Sequence, residues 1–277
     1  MPLVSTGSIV AEARGSGRGV CAFNVITLEH AEAILAGAGA PVILQISENA
    51  VRFHDGRLRP LAAGVAALAE DSPVAASLHL DHVTDADLLR RAPDCGFSSA
   101  MFDASALPYD ENVKATREAA DWAHARGLWL EAELGEVGGK DGAHAPGVRT
   151  DPAEAAAFVA ETGVDALAVA VGSSHAMTSR TASLDLSLIT ALRDALPVPL
   201  VLHGSSGVPD EALAAAVAAG MTKINIGTAL NIAFTGAVRE TLAGSASLVD
   251  PRKYLAPARA AMAGVVRHLV ETVSQRP

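Results

Sequence analysis

The sequence predicts an α/β protein, a (β/α)8 or TIM barrel that forms a single domain over residues 1–277 and carries a C-terminal helical extension. The chain has the length of one such barrel, which usually takes roughly 250 residues. Eight short apolar runs recur along it, and Ala-rich helical patterns lie between most of them. Alternating strands and helices imply a parallel sheet covered by helices, and eight repeats in this length favour closure into a barrel.

The elements follow one another at regular spacing. The predicted strands are 19–25, 41–47, 74–80, 99–103, 128–134, 166–171, 199–203 and 223–226, and the predicted helices are 28–38, 59–71, 86–91, 112–126, 153–162, 186–196 and 210–219. Asp151 and Pro152 provide an N-cap and a first-turn proline for one helix. Gly163 and Gly220 end two others. A last helix is expected within residues 251–273.

Composition limits the functional classes. Half of the residues are hydrophobic but only 4% are aromatic, so Ala, Val and Leu must fill the interior. The net charge of −10 argues against nucleic acids and anionic membranes as partners, although it permits an anionic substrate at a locally positive site. Cys21 and Cys95 are too few for a disulfide framework. No stretch approaches 18 apolar residues, so we expect a cytoplasmic protein with reduced thiols.

Polar residues stand at the ends of the predicted strands. In barrel enzymes the reacting groups lie at the C-terminal strand ends, which together form one site. The residues at these ends are Asn24, Ser47, Asp81, His82, Asp103, Glu133, His175, His203 and Asn225. From the third strand onward, every end offers a possible ligand or anion binder. We therefore expect a single functional site there.

Three of the nine histidines follow three different strands. They are His82, His175 and His203. Three histidines with an open fourth position are typical of a catalytic zinc site, whereas the alternative is three unrelated histidines. Asp103 and Glu133 either bind a second cation or orient the histidines. His79 is expected to point to the other face of its strand and to serve the structure or support the ligands.

Two loops of small residues favour a phosphate site. They are Gly204-Ser205-Ser206-Gly207 after strand seven and Asn225-Ile226-Gly227-Thr228 after strand eight. In such barrels these two loops often bind phosphate, and stacked backbone N–H groups form an anion site without basic side chains. The alternative is ordinary turn chemistry.

Motifs along nearly the whole chain match one family in order. They are Ala22-Phe23-Asn24-Val25, Pro41-Val42-Ile43-Leu44-Gln45, Leu78-His79-Leu80-Asp81-His82, Glu131-Ala132-Glu133-Leu134-Gly135, the turn 172–175, Leu202-His203-Gly204, Lys223-Ile224-Asn225-Ile226 and Asp250-Pro251-Arg252-Lys253-Tyr254-Leu255. Their combination resembles class II, metal-dependent fructose-bisphosphate and tagatose-bisphosphate aldolases. The resemblance implies a zinc-dependent lyase of carbohydrate metabolism, such as glycolysis. It would cleave a ketose bisphosphate, foremost fructose 1,6-bisphosphate, to dihydroxyacetone phosphate and an aldehyde such as glyceraldehyde 3-phosphate.

The resemblance also implies roles for individual residues. Asp81 would be the acid/base at the C4 hydroxyl. Zinc would be bound by His82, His175 and His203, while Glu133 with Asp103 matches an accessory position for a second divalent or a monovalent cation. The positions that match substrate contacts are Asn24, Ser47, Ala176, Gly204, Ser205, Ser206, Asn225, Ile226, Gly227 and Thr228.

Two further roles depend on loops. Asp141 is the best available carboxylate in a loop that often carries a glutamate for proton transfer at C3. Arg252 matches an arginine that binds the far phosphate and often comes from a neighbouring subunit, so a homodimer or homotetramer is expected. The alternative for Arg252 is a surface ion pair.

The chemistry favours a metal over a Schiff base. Retro-aldol cleavage leaves negative charge beside a ketone, which either a lysine Schiff base or a Lewis-acid metal can stabilise. The four lysines are Lys114, Lys140, Lys223 and Lys253. Lys223 opens predicted strand eight at the end away from the site, and Lys253 lies in the tail.

Three departures from the family pattern leave the sugar open. Ala176 follows His175 where glycine is usual, Val83 follows Asp-His where a small residue is common, and Ala229 stands where Asp or Glu is frequent. Tagatose 1,6-bisphosphate and a 2-deoxy-5-keto-gluconate 6-phosphate are alternative substrates. A non-catalytic phosphosugar-binding barrel is a further alternative, although binding alone does not need Asp81.

Overall fold

Eight parallel strands close into one barrel in sequence order in the computed structural model, which describes residues 3–134, 148–173 and 178–274. The strands are β1 (Val20–Asn24), β2 (Val42–Ser47), β3 (Ala76–Val83), β4 (Ser99–Phe102), β5 (Trp129–Glu133), β6 (Ala166–Ala168), β7 (Leu200–Leu202) and β8 (Met221–Ile226). β8 pairs with β1 and completes the ring. The predicted barrel is confirmed.

Helices surround the barrel. They are α1 (Thr6–Gly15), α2 (Leu28–Gly37), α3 (Glu48–Phe53), α4 (Leu58–Glu70), α5 (Ala86–Arg90), α6 (Tyr109–His124), α7 (Pro152–Thr162), α8 (Leu186–Ala195), α9 (Asp210–Ala219), α10 (Thr228–Ala243) and α11 (Arg252–Ser274). The sequence does not predict α1, α3 or α10. In α10 the apolar residues form no clear stripe, and Leu230 is its one fully buried residue among those described.

The first helix closes one end of the barrel. Ile9 and Val10 of α1 pack against Val20, Ala22 and Ile43 of the first two strands. Because α1 lies at the N-terminal ends of the strands, the C-terminal ends form the open mouth. The final helix, α11, packs on α2 and α10.

An irregularity in β3 shapes that mouth. Leu80 pairs with Ala100 of β4, but the next pair joins Val83 to Phe102, so two residues of β3 oppose one of β4. Such a bulge redirects side chains. His82 lies inside it and has a left-handed backbone with φ 49°. For a residue with a Cβ atom this conformation costs about 1 kcal/mol. The strain arises because the bulge forces the backbone of His82 out of the ordinary strand conformation.

None of the helices in the described ranges combines the length and hydropathy needed to cross a bilayer.

Candidate active site

Asp81 and His82 both face the mouth of the barrel. Neighbouring residues of a regular strand point to opposite faces. Here the bulge turns His82 inward, so that its ring lies edge-on to His203, with ring centres 4.7 Å apart. Asp81 is 2% exposed and is paired in register with Ser47 of β2. The structure thus brings the predicted acid/base beside two of the predicted metal ligands.

His203 is fixed by a chain of buried charged groups. It follows β7 and is fully buried, and its Nε2 lies 3.0 Å from Glu131 Oε1. The other oxygen of Glu131 accepts a hydrogen bond from Lys223 Nζ at 2.8 Å. Asn225 Nδ2 lies 3.1 Å from the same nitrogen of His203. With Nε2 protonated against Glu131, whose carboxylate only accepts, Nδ1 is left to face a cation. Ser173 Oγ donates to the His203 carbonyl at 2.6 Å and holds the backbone.

The expected position of Lys223 is wrong. β8 begins at Met221, two residues earlier than predicted, and Lys223 points into the barrel, where Glu131 links its ammonium group to His203. Its ammonium is fully buried in this ion pair. A buried charge must be paired in this way, which makes Lys223 a structural partner of the site.

Carboxylates surround the two histidines. Asp103 Oδ2 lies 3.0 Å from His82 Nδ1 and therefore orients the ring with Nε2 towards the mouth. Asp103 itself accepts from the Ser105 hydroxyl at 2.6 Å. Glu133 is fully buried, and its Oε2 lies 3.9 Å from His203 Nδ1. This contact is the geometry that the orienting role of Asp103 requires, and both roles predicted for Asp103 stay predictions.

The donor set fits a zinc ion. One possible ligand atom from each of Asp81, His82 and His203 lies within 4.8 Å of the others, and the same holds for His82, Asp103 and Glu133. Imidazole nitrogens and carboxylate oxygens are the atoms that zinc prefers beside thiolate. His82 belongs to both groups, so a first ion and an accessory position would be neighbours. The third predicted histidine, His175, lies outside the described residues.

Asp81 is lined by polar groups. Asn225 Nδ2 donates to Asp81 Oδ1 at 3.5 Å, and His79 Nε2 lies 3.9 Å from the same oxygen. The expectation that His79 points away from the site is wrong, because Asp81 and His79 are two residues apart and share the inner face. Its Nδ1 contacts Ser99 Oγ at 2.8 Å. Burial, helped by the Lys223 ammonium, holds the pKa of His79 well below its ordinary value, so the ring is neutral at pH 7.

The loops after β7 and β8 are joined. Ser205 Oγ donates to the Asn225 carbonyl, and Ser206 Oγ accepts from the Ala229 N–H at 3.1 Å. Gly204 has φ 67°, which begins a short 3₁₀ turn over Ser205–Gly207. Since α10 begins at Thr228, the N-terminus of a 16-residue helix stands beside this turn, a place that attracts anions.

Asn24 closes the other side of these loops. A Cβ atom on Gly227 would meet the Asn24 side chain at 3.1 Å, so the glycine permits their close approach. Asn24 Oδ1 accepts from Gln45 Nε2. Ser47 already has one partner, since its hydroxyl accepts from the Ala50 N–H and caps α3. Ile226 is buried and paired with Phe23 of β1, so it would offer a ligand mainly its backbone.

Other predicted residues lie apart from the mouth or beyond the description. Asp141 and Ala176 lie outside the described residues. Arg252, the first residue of α11, has an 89% exposed side chain, and its Nη2 donates to Asp250 Oδ2 at 2.8 Å. This contact lowers the pKa of Asp250 and raises that of Arg252. Within this chain Arg252 forms the surface ion pair that is the alternative to a phosphate contact.

Val83 is a departure from the family pattern, and Arg180 belongs to the strand-six loop that also contains the departure Ala176. Val83 is fully buried and paired with Phe102, so the larger side chain joins the core. Arg180 donates to the Val208 carbonyl at 2.7 Å and to Asp210, which ties the end of the strand-six loop to the strand-seven loop. Arg180 was not singled out as a functional residue.

Glu131 and Lys223 are the site residues that sequence reasoning missed. The spacing of Glu131 and Glu133 on one strand does place both on the same face. Pairing Glu131 with Lys223, however, links residues 92 positions apart across the barrel. That contact depends on the register of several strands, for which the sequence offers no local signal.

Comparisons with known proteins agree with this geometry. The family model "Fructose-bisphosphate aldolase class-II" matches residues 4–276. Fructose-bisphosphate aldolase from Geobacillus stearothermophilus is 41% identical over 273 residues, covering 96% of this chain and 95% of that protein. The enzyme of the same name from Staphylococcus aureus strain Mu50 is 38% identical over 274 residues, covering 96% of each.

A solved structure shows the same fold. The crystal structure of the YdjI aldolase from Escherichia coli K12 superposes with a TM-score of 0.84 at 29% identity, covering 98% of this chain and 97% of that one. The chain belongs to the class-II fructose-bisphosphate aldolase family.

Proposed function

We propose that this protein is a zinc-dependent aldolase that reversibly cleaves fructose 1,6-bisphosphate to dihydroxyacetone phosphate and glyceraldehyde 3-phosphate. The observation that supports this most directly is the meeting of the Asp81 carboxylate with the imidazoles of His82 and His203 within 4.8 Å. Relatives at 38% and 41% identity carry the name of this activity. A barrel that only binds phosphosugars would not need a buried carboxylate beside the ligands.

The proposed metal ligands are His82 through Nε2, His203 through Nδ1 and His175, with Asp103 and Glu133 at the accessory position for a second divalent or a monovalent cation. When bound, zinc supplies Lewis-acid polarisation of the substrate ketone. The chain prepares this site by fixing both rings with carboxylates, Asp103 on His82 and Glu131 on His203. Such outer partners typically change metal affinity or activity about 10–100-fold when they are lost.

Asp81 is the proposed acid/base. In the cleavage direction its carboxylate takes the proton of the C4 hydroxyl while the C3–C4 bond breaks, and the neighbouring Asn225 amide keeps the carboxylate in place. A well-placed proton acceptor contributes roughly 10²–10⁴-fold in rate. Asp141 is proposed to return a proton at C3.

The phosphate of the dihydroxyacetone half is proposed to lie between the two joined loops. Their backbone N–H groups would bind its oxygens, with the N-terminus of α10 adding favourable potential. The residues of this subsite are Gly204, Ser205, Ser206, Asn225, Ile226, Gly227 and Thr228, with Asn24, Ser47 and Ala176 contacting the sugar. This arrangement needs no lysine and suits a chain of net charge −10.

A metal route predicts a distinctive inhibition pattern. EDTA should abolish cleavage and added zinc should restore it, whereas borohydride with substrate should leave the enzyme active, since Lys223 is buried against Glu131. The measurement is a rate assay over fructose 1,6-bisphosphate, tagatose 1,6-bisphosphate and the deoxy-keto-gluconate phosphate, with and without chelator. Cleavage that survives thorough metal removal would refute the metal route, and a strong preference for another sugar would correct the substrate.

A homodimer or homotetramer is proposed to complete the far end of the substrate pocket. The loops after β7 and β8 hold one phosphate, and a six-carbon sugar places the second one well beyond them. The exposed side chain of Arg252 is suited to reach a neighbouring subunit. Ile232, Leu242 and Val249, near the same end of the chain, are 49%, 40% and 88% exposed, which also favours a partner surface.

Arg252→Ala should raise KM for a ketose bisphosphate by roughly tens of fold, because a guanidinium that forks onto phosphate makes two charge-assisted hydrogen bonds. KM for the matching ketose 1-monophosphate should change little. Arg90→Ala, which removes a comparable exposed ion pair with Asp87, serves as the control. Equal effects on both substrates, or none on either, would show that Arg252 does not read the second phosphate.

A further inference from the structure

Glu48 carries a buried carboxylate that the proposed mechanism does not use. It is the first residue of α3, directly after β2, and is 5% exposed. A buried carboxylate needs donors or an opposite charge. Its donors come from a different loop, the one after β3. Glu48 Oε2 accepts from the Thr84 N–H at 2.6 Å and from the Asp85 N–H at 3.2 Å, and Oε1 accepts from the Thr84 hydroxyl at 3.1 Å.

That loop begins two residues after His82. The left-handed backbone of His82 and the bulge around it turn the imidazole into the mouth. Such a conformation persists only where surrounding contacts hold it. On one side, Val83 pairs with Phe102 and its carbonyl accepts from the Asp103 N–H at 2.8 Å. Towards the end of β2, the hydrogen bonds from Thr84 and Asp85 to Glu48 hold the residues that directly follow the bulge.

The helix that contains Glu48 does not account for these contacts. Ser47 already caps α3 by accepting from the Ala50 N–H. Within the helix, Glu48 pairs with Arg52, four residues on, whose side chain is 67% exposed. Because this pair lies within α3, it does not hold the loop after β3. The contacts that Glu48 makes outside its own helix are the ones to Thr84 and Asp85 in the loop after β3.

We infer that Glu48 is a positioning residue for the metal site, acting through the loop after β3 on the orientation of His82. Its carboxylate anchors Thr84 and Asp85 and so keeps the His82 ring turned towards His203, with Nε2 directed to the mouth. This inference rests on the proposed metal site.

Glu48→Gln is the primary test. The amide is nearly isosteric but carries no charge, and only one of its two polar atoms accepts, so the anchor of the loop is weakened. The dissociation constant for zinc, measured on metal-free protein by competition with a chromophoric chelator, should rise by about 10–100-fold. The visible spectrum of the cobalt-substituted protein should change as well, because it reports the ligand geometry. Glu48→Asp, which keeps the charge but shortens the reach, should weaken zinc binding less than Glu48→Gln does.

Arg52→Ala is the matched control. It removes the partner of Glu48 within α3 but leaves the contacts to Thr84 and Asp85, so zinc affinity and the cobalt spectrum should remain those of the wild type. Thermal unfolding of the metal-free proteins identifies any variant that fails to fold. If Glu48→Gln does not fold, Glu48→Asp provides the comparison with Arg52→Ala.

Two results would overturn the inference while the proposed function stands. In one, the wild type binds zinc, and folded Glu48→Gln has the same affinity and cobalt spectrum. In the other, Arg52→Ala weakens zinc binding as much as Glu48→Gln does, which would assign the effect to the helix pair. A wild-type protein that binds no zinc would instead refute the proposed metal site, and this inference with it.

Discussion

His203→Ala should lose its bound zinc and its aldol cleavage together, so that its cleavage rate falls to that of the metal-free protein. His203 is fully buried, and its ring lies between Glu131, which contacts Nε2 at 3.0 Å, and Glu133, 3.9 Å from Nδ1. Alanine removes a ligand and leaves the Glu131–Lys223 pair without its third member. Truncating a buried network of this kind is costly, so some loss of stability is also expected.

Metal analysis of the purified variant, alongside its cleavage rate, provides the measurement. His124→Ala is the control, because His124 is an exposed histidine whose Nε2 lies 2.9 Å from Asp165 Oδ2 and is part of neither metal-ligand group. It should keep full metal content and full activity. A His203→Ala protein that retains both would exclude His203 as a ligand.

Asp81→Asn should retain the metal but reduce turnover by roughly 10²–10⁴-fold. Asparagine preserves the shape and can still contact Asn225, yet its amide does not accept a proton from the C4 hydroxyl. The side chain is 2% exposed, so bulk water cannot readily replace it as the base. The loss should appear in kcat and in kcat/KM alike, which indicates an interaction made in the transition state.

The two variants separate two roles at neighbouring positions. Zinc content equal to wild type in Asp81→Asn, set against metal loss in His203→Ala, assigns proton transfer to one and metal binding to the other. Normal turnover by Asp81→Asn would remove this residue from the mechanism. Loss of metal in Asp81→Asn would instead show that Asp81 is a metal ligand. This outcome has to be tested, because Asp81 offers a ligand atom within 4.8 Å of those of the two histidines.

Much of the barrel is encoded locally. The eight strands lie where apolar runs predict them, because in a parallel sheet both faces are buried and each strand becomes a continuous apolar segment. Helices with clear caps or ends, such as α7 between Asp151 and Gly163, begin and end close to the predicted positions. α10 is not predicted, because no stripe of buried residues marks it and its N-cap, Gly227, makes no side-chain hydrogen bond.

The site is encoded in part. The strand-end rule brings Asp81, His82 and His203 together, and the structure agrees. Regular alternation, however, would place His82 on the opposite face from Asp81, and only the bulge corrects this. A bulge arises from the register between β3 and β4. Likewise the contact of Lys223 with Glu131 depends on how the barrel closes, which no local pattern in the sequence records.

The charges around the mouth also affect the free energy of unfolding of the protein. Lys223 neutralises Glu131, whereas Asp81, Asp103 and Glu133 add three more carboxylates, buried or largely so, around the same space. Mutual repulsion of such groups favours opening of the metal-free chain, and a bound divalent ion offsets it. Above the dissociation constant, each tenfold rise in free metal adds about 1.4 kcal/mol to the free energy of unfolding. If zinc binds there, the metal-free chain would be the form more readily unfolded and cleaved by proteases.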